Sequence, residues 1–464
     1  MCGIVGVVSN RENVAEDIRL GLWSLQHRGQ ESTGIVTYTG SDYWLKKEMG
    51  MVDFVFHDDA PLDVPGKSGI GHVRYSTCGS SSIENAQPIE GKFRGAKFWL
   101  SHNGNLVNAR AIRNDLENQG YIFKTTTDTE VIAGLIHFSK QEFFSAALKE
   151  SLLEVRGTYS LLALYKDDVY GVRDPTANLP LVIGHRDGVM LLASESATCD
   201  VLGATFLREV EPGELVTLRS SPFSLWSERF FGSLTELLKN QRPCIFEFVY
   251  FLRPDSIMNG RRVDIVREEI GRELWRQAPA DADVVIPVPD SANSIAAGLA
   301  REAGLPLEQG LFRYHYVGRS FTKPKQKQRE RVLRIKLNPI PERFAGKRAI
   351  VVDDSIVRST SIKWVIKILR DNGVGEVHVR IGSPPYMWPC YYGKDTNQVE
   401  GELIAKRHGG NVEAIRQEIG ADSLGYLNLV GLTRSVLKIK NDDLDESNFC
   451  NACFSGDYHI PIVK

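Results

Sequence analysis

MCGIVGVVSN, residues 1–10, is the stretch on which the reading of this chain turns. A cysteine stands directly behind Met1, and residues 4–8 form a short apolar run of strand type. A small second residue permits removal of Met1, which leaves Cys2 with its thiol and its α-amine on one carbon. That amine ordinarily titrates near about 7.7–8. Near pH 7 a useful fraction of it is neutral and can accept the thiol proton. A cysteine paired with an adjacent base is a workable nucleophile. Position alone also fits a small buried thiol that opens a strand.

Outward from this run, further short apolar segments follow at residues 35–38, 98–101, 161–165 and 189–193, separated by turn residues. A helical pattern covers residues 15–26. The first half therefore reads as mixed α+β with layered sheets. Residues 217–243 show no strand rhythm and read as a connector. Beyond them strand-like runs at 284–288 and 349–352 are each followed by a helical pattern, the arrangement of a mostly parallel α/β domain. In the second of these helices Ile362, Val365, Ile366 and Leu369 share one face, and Gly373 is placed to end it.

Four polar segments in the first half supply what amide hydrolysis needs: HRGQESTG (27–34), GHVRYST (71–77), SHNGN (101–105) and TDTE (127–130). Arg74 can fork onto an α-carboxylate, and Asp128 can pair with an α-ammonium. The Asn103 side chain and the Gly104 N–H can donate to an oxyanion, where one donor is worth on the order of 3 kcal/mol. Each segment alone is also an ordinary surface pair, turn or cap. In this order, together with Asn85-Ala86-Gln87-Pro88, they resemble the N-terminal-nucleophile glutaminase domain of class II amidotransferases over about residues 2–230. The resemblance implies a four-layer αββα fold and glutamine as ammonia donor. It also implies Cys2, Asn103 and Gly104 as the catalytic set, with Arg28, Arg74 and Asp128 around the glutamine.

In the second half, residues 349–360 run from an apolar strand through Asp353 and Asp354 into Ser355, Ile356, Val357, Arg358, Ser359 and Thr360, where a helix opens. Backbone N–H groups at such a helix start can hold a phosphate. The two carboxylates can accept ribose hydroxyls or hold Mg²⁺. Residues 316–331 are strongly basic and turn-rich, and read either as a solvated loop or as a lid carrying cations, Arg319 and Lys325 among them, to a pyrophosphate. These segments resemble a type I phosphoribosyltransferase domain, here residues 231–464. With residues 251–256, 336–338 and 383–385 the resemblance narrows to the amidophosphoribosyltransferase family and covers nearly the whole chain. It implies ammonia moving through an internal channel to C1 of phosphoribosyl pyrophosphate, giving phosphoribosylamine for purine synthesis, with Mg²⁺ at Ser291, Asp353 and Asp354. Four departures stand out. Ser359 and Ala177 occupy positions where the family has glycine, Ala292 follows Ser291 where the family again has glycine, and Leu179 replaces an arginine.

Seven cysteines, an odd number in a large chain, make disulfides a poor expectation. Cys450 and Cys453 form one C-x2-C pair, and Cys244 and Cys390 are distant singles. Buried thiols, a zinc site or an iron–sulfur site all fit such a set. The resemblance to the cluster-containing branch of the family implies a [4Fe–4S] cluster on these four. Many members of that branch carry a propeptide before the catalytic cysteine; here simple removal of Met1 is expected to suffice. Cys78 and Cys199 read as structural.

The chain has 464 residues, 42% of them hydrophobic and 25% charged, and a net charge of −2. That gives no global reason to expect nucleic-acid or anionic-membrane binding, and no apolar run is long enough to span a bilayer. Residues 1–10 lack the basic start and long apolar stretch of a signal peptide, so a cytoplasmic protein is expected. The family further implies a homotetramer with purine nucleotides as feedback inhibitors. Two alternatives are a diverged amidotransferase that aminates another phosphorylated sugar and a nucleotide-sensing regulator with an inactive transferase domain.

Overall fold

The computed structural model describes residues 1–11, 13–57, 61–75, 80–314, 337–394, 396–438 and 448–462. The first half contains strands β1 (Gly3–Ser9), β2 (Ser32–Tyr38), β3 (Tyr43–Met49), β4 (Ser68–Arg74), β5 (Ile89–Phe93), β6 (Ala96–Leu106) and β7 (Gly157–Tyr165). They are followed by β8 (Asp168–Arg173), β9 (Val182–Arg186), β10 (Val189–Ala193), β11 (Thr205–Glu209), β12 (Glu214–Ser220) and β13 (Phe223–Arg229). One sheet runs β11-β9-β10-β1-β4-β2-β3, the other β13-β12-β8-β7-β6-β5.

Alternation along β1 shows why the sheets stack. Ile4 and Val8 point to the second sheet and pack with Trp99, Leu162 and Val169. Val5 and Val7 point the other way, onto Ile18 and Leu22 of the helix Val14–Ser24. The far face of the second sheet, with Phe98, Leu100 and Leu161, is covered by Ile132, Ile136, Leu148 and Leu152. Those four come from the helices Thr129–Phe138 and Phe144–Glu154. Helix, sheet, sheet and helix give the αββα layering, because the central strands have apolar residues on both faces and must be covered twice.

Residues 217–229 correct the expectation of a connector. They belong to the β12–β13 hairpin, paired from Glu214↔Arg229 to Ser220↔Phe223. Edge strand β13 leaves Leu225 and Trp226 both exposed, at 37% and 67%. It therefore carries none of the burial alternation by which a strand is read from sequence.

The second half is built on a parallel sheet of Val284–Pro287, Arg348–Asp353, Glu376–Ile381 and Ser423–Tyr426, in that order. Helices Val263–Gln277 and Asn293–Ala303 cover one face. Ser359–Asp371 and Val412–Ile419 cover the other. Ile362, Val365, Ile366 and Leu369 are buried as their spacing predicts, and Gly373 follows the helix end with φ 86°. Among the described residues no helix is long and apolar enough to cross a membrane.

Candidate active site

Cys2 lies at the mouth of β1, where the stacked sheets bring it against β6. Its backbone N–H donates to Asn103 Oδ1 at 2.9 Å. This nitrogen, a peptide nitrogen while Met1 is attached, is the one that becomes the α-amine on removal of Met1. Asn103 Nδ2 is buried and makes no hydrogen bond to any described residue. Such a donor costs about 1–3 kcal/mol when left unmade, so the position favours an atom that carries lone pairs. Gly104 follows with φ 157°, and a Cβ there would lie 2.0 Å from the Thr158 carbonyl oxygen. Only glycine fits.

The Cys2 Sγ sits 3.5 Å from both the N and the O of Tyr75. Burial pushes its thiol above the ordinary value, while the terminal amine, the Tyr75 backbone and Arg74 act against that. The sulfur is therefore held as a thiol, and a base at bonding distance is needed to make it a nucleophile.

The pairing Gly3↔Val73 puts Arg74 beside Cys2 at the end of β4. Its Nη1 donates to Glu31 Oε1 at 2.6 Å and to the Ser80 carbonyl at 3.1 Å. Asp128 precedes the helix Thr129–Phe138, and its Oδ2 accepts the Leu106 N–H at 2.9 Å. Its other oxygen lies 3.9 Å from His102 Nδ1. Burial lowers the pKa of His102 and drives that of His72 down to about 3. Both rings are thus neutral packing groups behind the pocket, His72 Nε2 resting 3.1 Å from the His102 carbonyl.

Arg28, expected around the glutamine, is held by other groups of the chain. Its guanidinium is fully buried and bridges Glu195 at 2.6 Å and Glu247 at 2.7 Å, while Nε donates to the Cys2 carbonyl at 3.0 Å. With these carboxylates on it, the group ties the two halves of the chain together. Glu195 gathers further partners in His27 at 2.7 Å, the Arg253 N–H and the Ser256 hydroxyl. Burial alone would raise its pKa; His27 and Arg28 pull it far below the usual carboxylate range.

In the second half the structure brings Ser291, Asp353 and Asp354 together. The Ser291 hydroxyl donates to Asp354 Oδ2 and that of Ser355 to Oδ1, both at 2.5 Å. The Asp354 N–H meets Asp353 Oδ1 at 2.9 Å. Burial and the charge of Asp354 raise Asp353 well above the carboxylate range; burial raises Asp354 as well, against the pull of the serine hydroxyls and Arg267. Ser359 opens the helix Ser359–Asp371 without a left-handed φ, so the missing glycine strains nothing there. Its side chain helps to lower the pKa of Glu418, which also meets Lys363 at 2.9 Å. Arg358 pairs with Glu402 at 3.0 Å, and Ile356 is buried. Val357 packs at the margin of the core under the helices Val263–Gln277 and Asn293–Ala303. Arg319 and Lys325 lie outside the described residues.

Cys244, Cys390, Cys450 and Cys453 line one cavity, with Met1, Asn178, Leu179, Tyr392 and Lys394. Cys244 is anchored by its N–H to the Asn178 carbonyl and Cys450 by its N–H to that of Pro243, each at 2.9 Å. All four are free thiols. Burial pushes Cys244 and Cys453 up to about 12 and raises Cys450 well above its ordinary value, with the neighbouring thiols adding to the shift and Lys394 opposing it at Cys244 and Cys453. Among the described residues no three His, Cys, Asp or Glu side chains converge as one metal ion requires. A single ion would draw sulfur to about 2.3 Å from one centre; a four-iron cluster holds its thiolates around a larger body. Sequence reasoning missed Glu195, Glu247 and Lys394, which lie in ordinary-looking segments with no motif to mark them.

The class these features define is a glutamine amidotransferase, and residues 72–200 match the family model described as a glutamine amidotransferase domain. An amidophosphoribosyltransferase of Methanothermobacter thermautotrophicus is 42% identical over 99% of this chain and 95% of its own length. That of Bacillus subtilis is 42% identical over 100% and 95%. The B. subtilis glutamine phosphoribosylpyrophosphate amidotransferase, solved in complex with ADP and GMP, superposes with a TM-score of 0.90 at 42% identity, covering 100% of this chain and 98% of that one. The chain belongs to the amidophosphoribosyltransferase family, the glutamine-dependent pentosyltransferases of purine biosynthesis.

Proposed function

We propose that glutamine is hydrolysed at Cys2 and that the ammonia it releases aminates phosphoribosyl pyrophosphate in the second half of the same chain. With Met1 removed, the α-amine held by Asn103 Oδ1 takes the thiol proton, and the thiolate attacks the side-chain amide carbon of glutamine. Asn103 Nδ2 and the Gly104 N–H receive the oxyanion. The tetrahedral centre collapses with loss of ammonia, and water then cleaves the thioester to glutamate. Arg74 and Asp128 hold the glutamine carboxylate and ammonium. The ammonia crosses the interior to C1 of the sugar and displaces pyrophosphate, giving 5-phosphoribosylamine. The observation that carries this reading is the divided Asn103 amide, one end on the Cys2 nitrogen and the other buried without a partner among the described residues.

For the second site we assign residues 353–360 to the ribose and phosphate, with Arg319 and Lys325 contributing from the basic segment. Ser291, Asp353 and Asp354 offer oxygen donors suited to Mg²⁺, and a buried carboxylate pair that repels itself favours a cation. When bound, the ion neutralises pyrophosphate charge. The four cysteines around one buried cavity suit an iron–sulfur cluster of the [4Fe–4S] type. We set the boundary between the two domains near residue 230, after β13 ends at Arg229. The ADP and GMP bound by the B. subtilis relative favour purine nucleotides as inhibitors. A cytoplasmic homotetramer is the assembly we assign.

The test is pyrophosphate release from phosphoribosyl pyrophosphate, with glutamine or ammonium as nitrogen source. Cys2→Ala is expected to lose the glutamine-dependent reaction and keep the ammonium-dependent one. Glutamine hydrolysis without pyrophosphate release from either nitrogen source overturns the two-site reading. Iron and broad visible absorbance in anaerobically purified protein test the cluster separately.

A further inference from the structure

Lys394 lines the same cavity as the four cysteines, and no step above uses it. It is only 8% exposed, and its Nζ makes no hydrogen bond to any described residue. Around the ammonium stand aromatic faces, with the ring centroid of Phe246 at 2.9 Å, Phe251 at 4.9 Å and Tyr386 at 5.2 Å. Phe246 lies two residues beyond Cys244, and Tyr386 lies four before Cys390, so the cage is formed by the same segments that carry the thiols.

Burying an ammonium without hydrogen bonds costs several kcal/mol even after relaxation. Ring faces return only part of that cost when the cation is desolvated. The balance calls for negative charge at the cavity, and the groups on its other side are the thiols of Cys244, Cys390, Cys450 and Cys453. As thiolates on an iron–sulfur centre they carry an excess of negative charge.

We propose that Lys394 is the fixed counter-charge of the thiolate-held iron–sulfur centre, acting as a positioning residue that raises its reduction potential and helps retain its iron. This rests on the reading of the four cysteines as iron–sulfur ligands. Net charge beside a cluster is one of the quantities that sets its potential. One electron enters the cluster on reduction and no bond changes, so a neighbouring cation favours the reduced form.

The experiment uses full-length protein purified anaerobically as wild type, Lys394→Met and Lys394→Arg. Iron content comes first, and absence of iron from the wild type overturns the ligand reading itself. With iron present, midpoint potentials are measured by titration with dithionite. Lys394→Met is expected to shift the oxidised-to-reduced ratio about tenfold towards the oxidised form, about 59 mV lower for one electron, and Lys394→Arg to remain near wild type. Equal potentials in all three proteins overturn the role of Lys394 while leaving the cluster standing. If Lys394→Met holds no iron, retention by Lys394→Arg supports the counter-charge. Equal loss in both variants overturns it in favour of packing alone.

Discussion

Cys2 and the group of Cys244, Cys390, Cys450 and Cys453 are two sulfur centres in one protein, and burial raises the thiol pKa of Cys2, Cys244, Cys450 and Cys453 alike. Their surroundings separate them. Cys2 faces a strand end, an amide with a spare donor and an arginine. The other four face one another and a caged lysine. One arrangement suits a sulfur that must form and break bonds with carbon; the other suits sulfurs that hold metal. The centres are also adjacent, because Met1, bonded to Cys2, lines the thiol cavity. Arg28 links the Cys2 carbonyl to Glu247, whose charge acts on Cys244.

Breaking that link carries the largest expected effect. Arg28→Met leaves Glu247 buried without its cation and Glu195 short of one. Losing one side of a buried pair costs about 3–5 kcal/mol, and a loss of that size is expected in denaturant unfolding. Adding Glu247→Gln to the same chain should recover part of it, since the uncompensated charge is then gone. A loss below about 1 kcal/mol for Arg28→Met rules out the tie as a structural element.

The two centres were unequally legible in the sequence. Asn103 and Gly104 could be read because one tripeptide carries both donors and β6 presents them together. The partners of Arg28 could not, since Glu195 and Glu247 lie 167 and 219 residues away and neither sits in a motif. Local pattern gave Arg28 a polar turn; the tertiary arrangement gave it two carboxylates. The layered first half was legible through runs such as 4–8 and 161–165, which alternate between two covered faces. Strand β13 was not, because an exposed edge strand has no face to betray. Lys394 lies in YYGKD, an ordinary polar turn by sequence, and only the convergence of Phe246, Phe251 and Tyr386 marks it.

On the Cys2 side alone, Asn103→Ala removes the spare donor and the acceptor that holds the Cys2 nitrogen. Loss of one oxyanion donor costs about 3 kcal/mol of transition-state stabilisation, on the order of 10²–10³ in kcat. The fall is expected in glutamine-dependent turnover, with ammonium-dependent turnover near wild type. Equal losses with both nitrogen sources would mean that the substitution disturbs the whole fold rather than the Cys2 pocket.

On the thiol side, His459 gives a pH dependence. Its ring packs on Tyr392 with centroids 4.8 Å apart, and burial, helped by the charge of Arg242, lowers its pKa to about 4. An unfolded histidine titrates near about 6.5. As pH falls the unfolded chain takes up this proton first, so the contribution is whole above about 6.5, shrinks down to about 4 and changes no further. The expected loss across that window is about 3 kcal/mol, and His459→Gln should flatten it. An unchanged slope in that variant assigns the pH dependence to other groups.

The smallest effect tests whether the thiol centre can be altered without touching Cys2. Ala177 sits at φ 50° in a buried turn, its N–H on the Asp174 carbonyl at 2.9 Å and its own carbonyl taking Arg173 Nη2 at 3.0 Å. The next residue, Asn178, anchors Cys244. A left-handed backbone costs an alanine about 1–2 kcal/mol. Glycine avoids that cost but loses more chain freedom on folding, roughly 0.5–1 kcal/mol, and gives up the buried methyl, about 0.8 kcal/mol. Strain relief and these losses nearly cancel, and Ala177→Gly is expected to change stability by no more than about 0.5 kcal/mol. A gain within that range, with iron content and glutamine-dependent turnover unchanged, shows that the turn beneath Cys244 adjusts independently of the nucleophile. A loss of more than about 1 kcal/mol would instead mean that the Ala177 methyl is part of the packing that sets the Cys244 backbone.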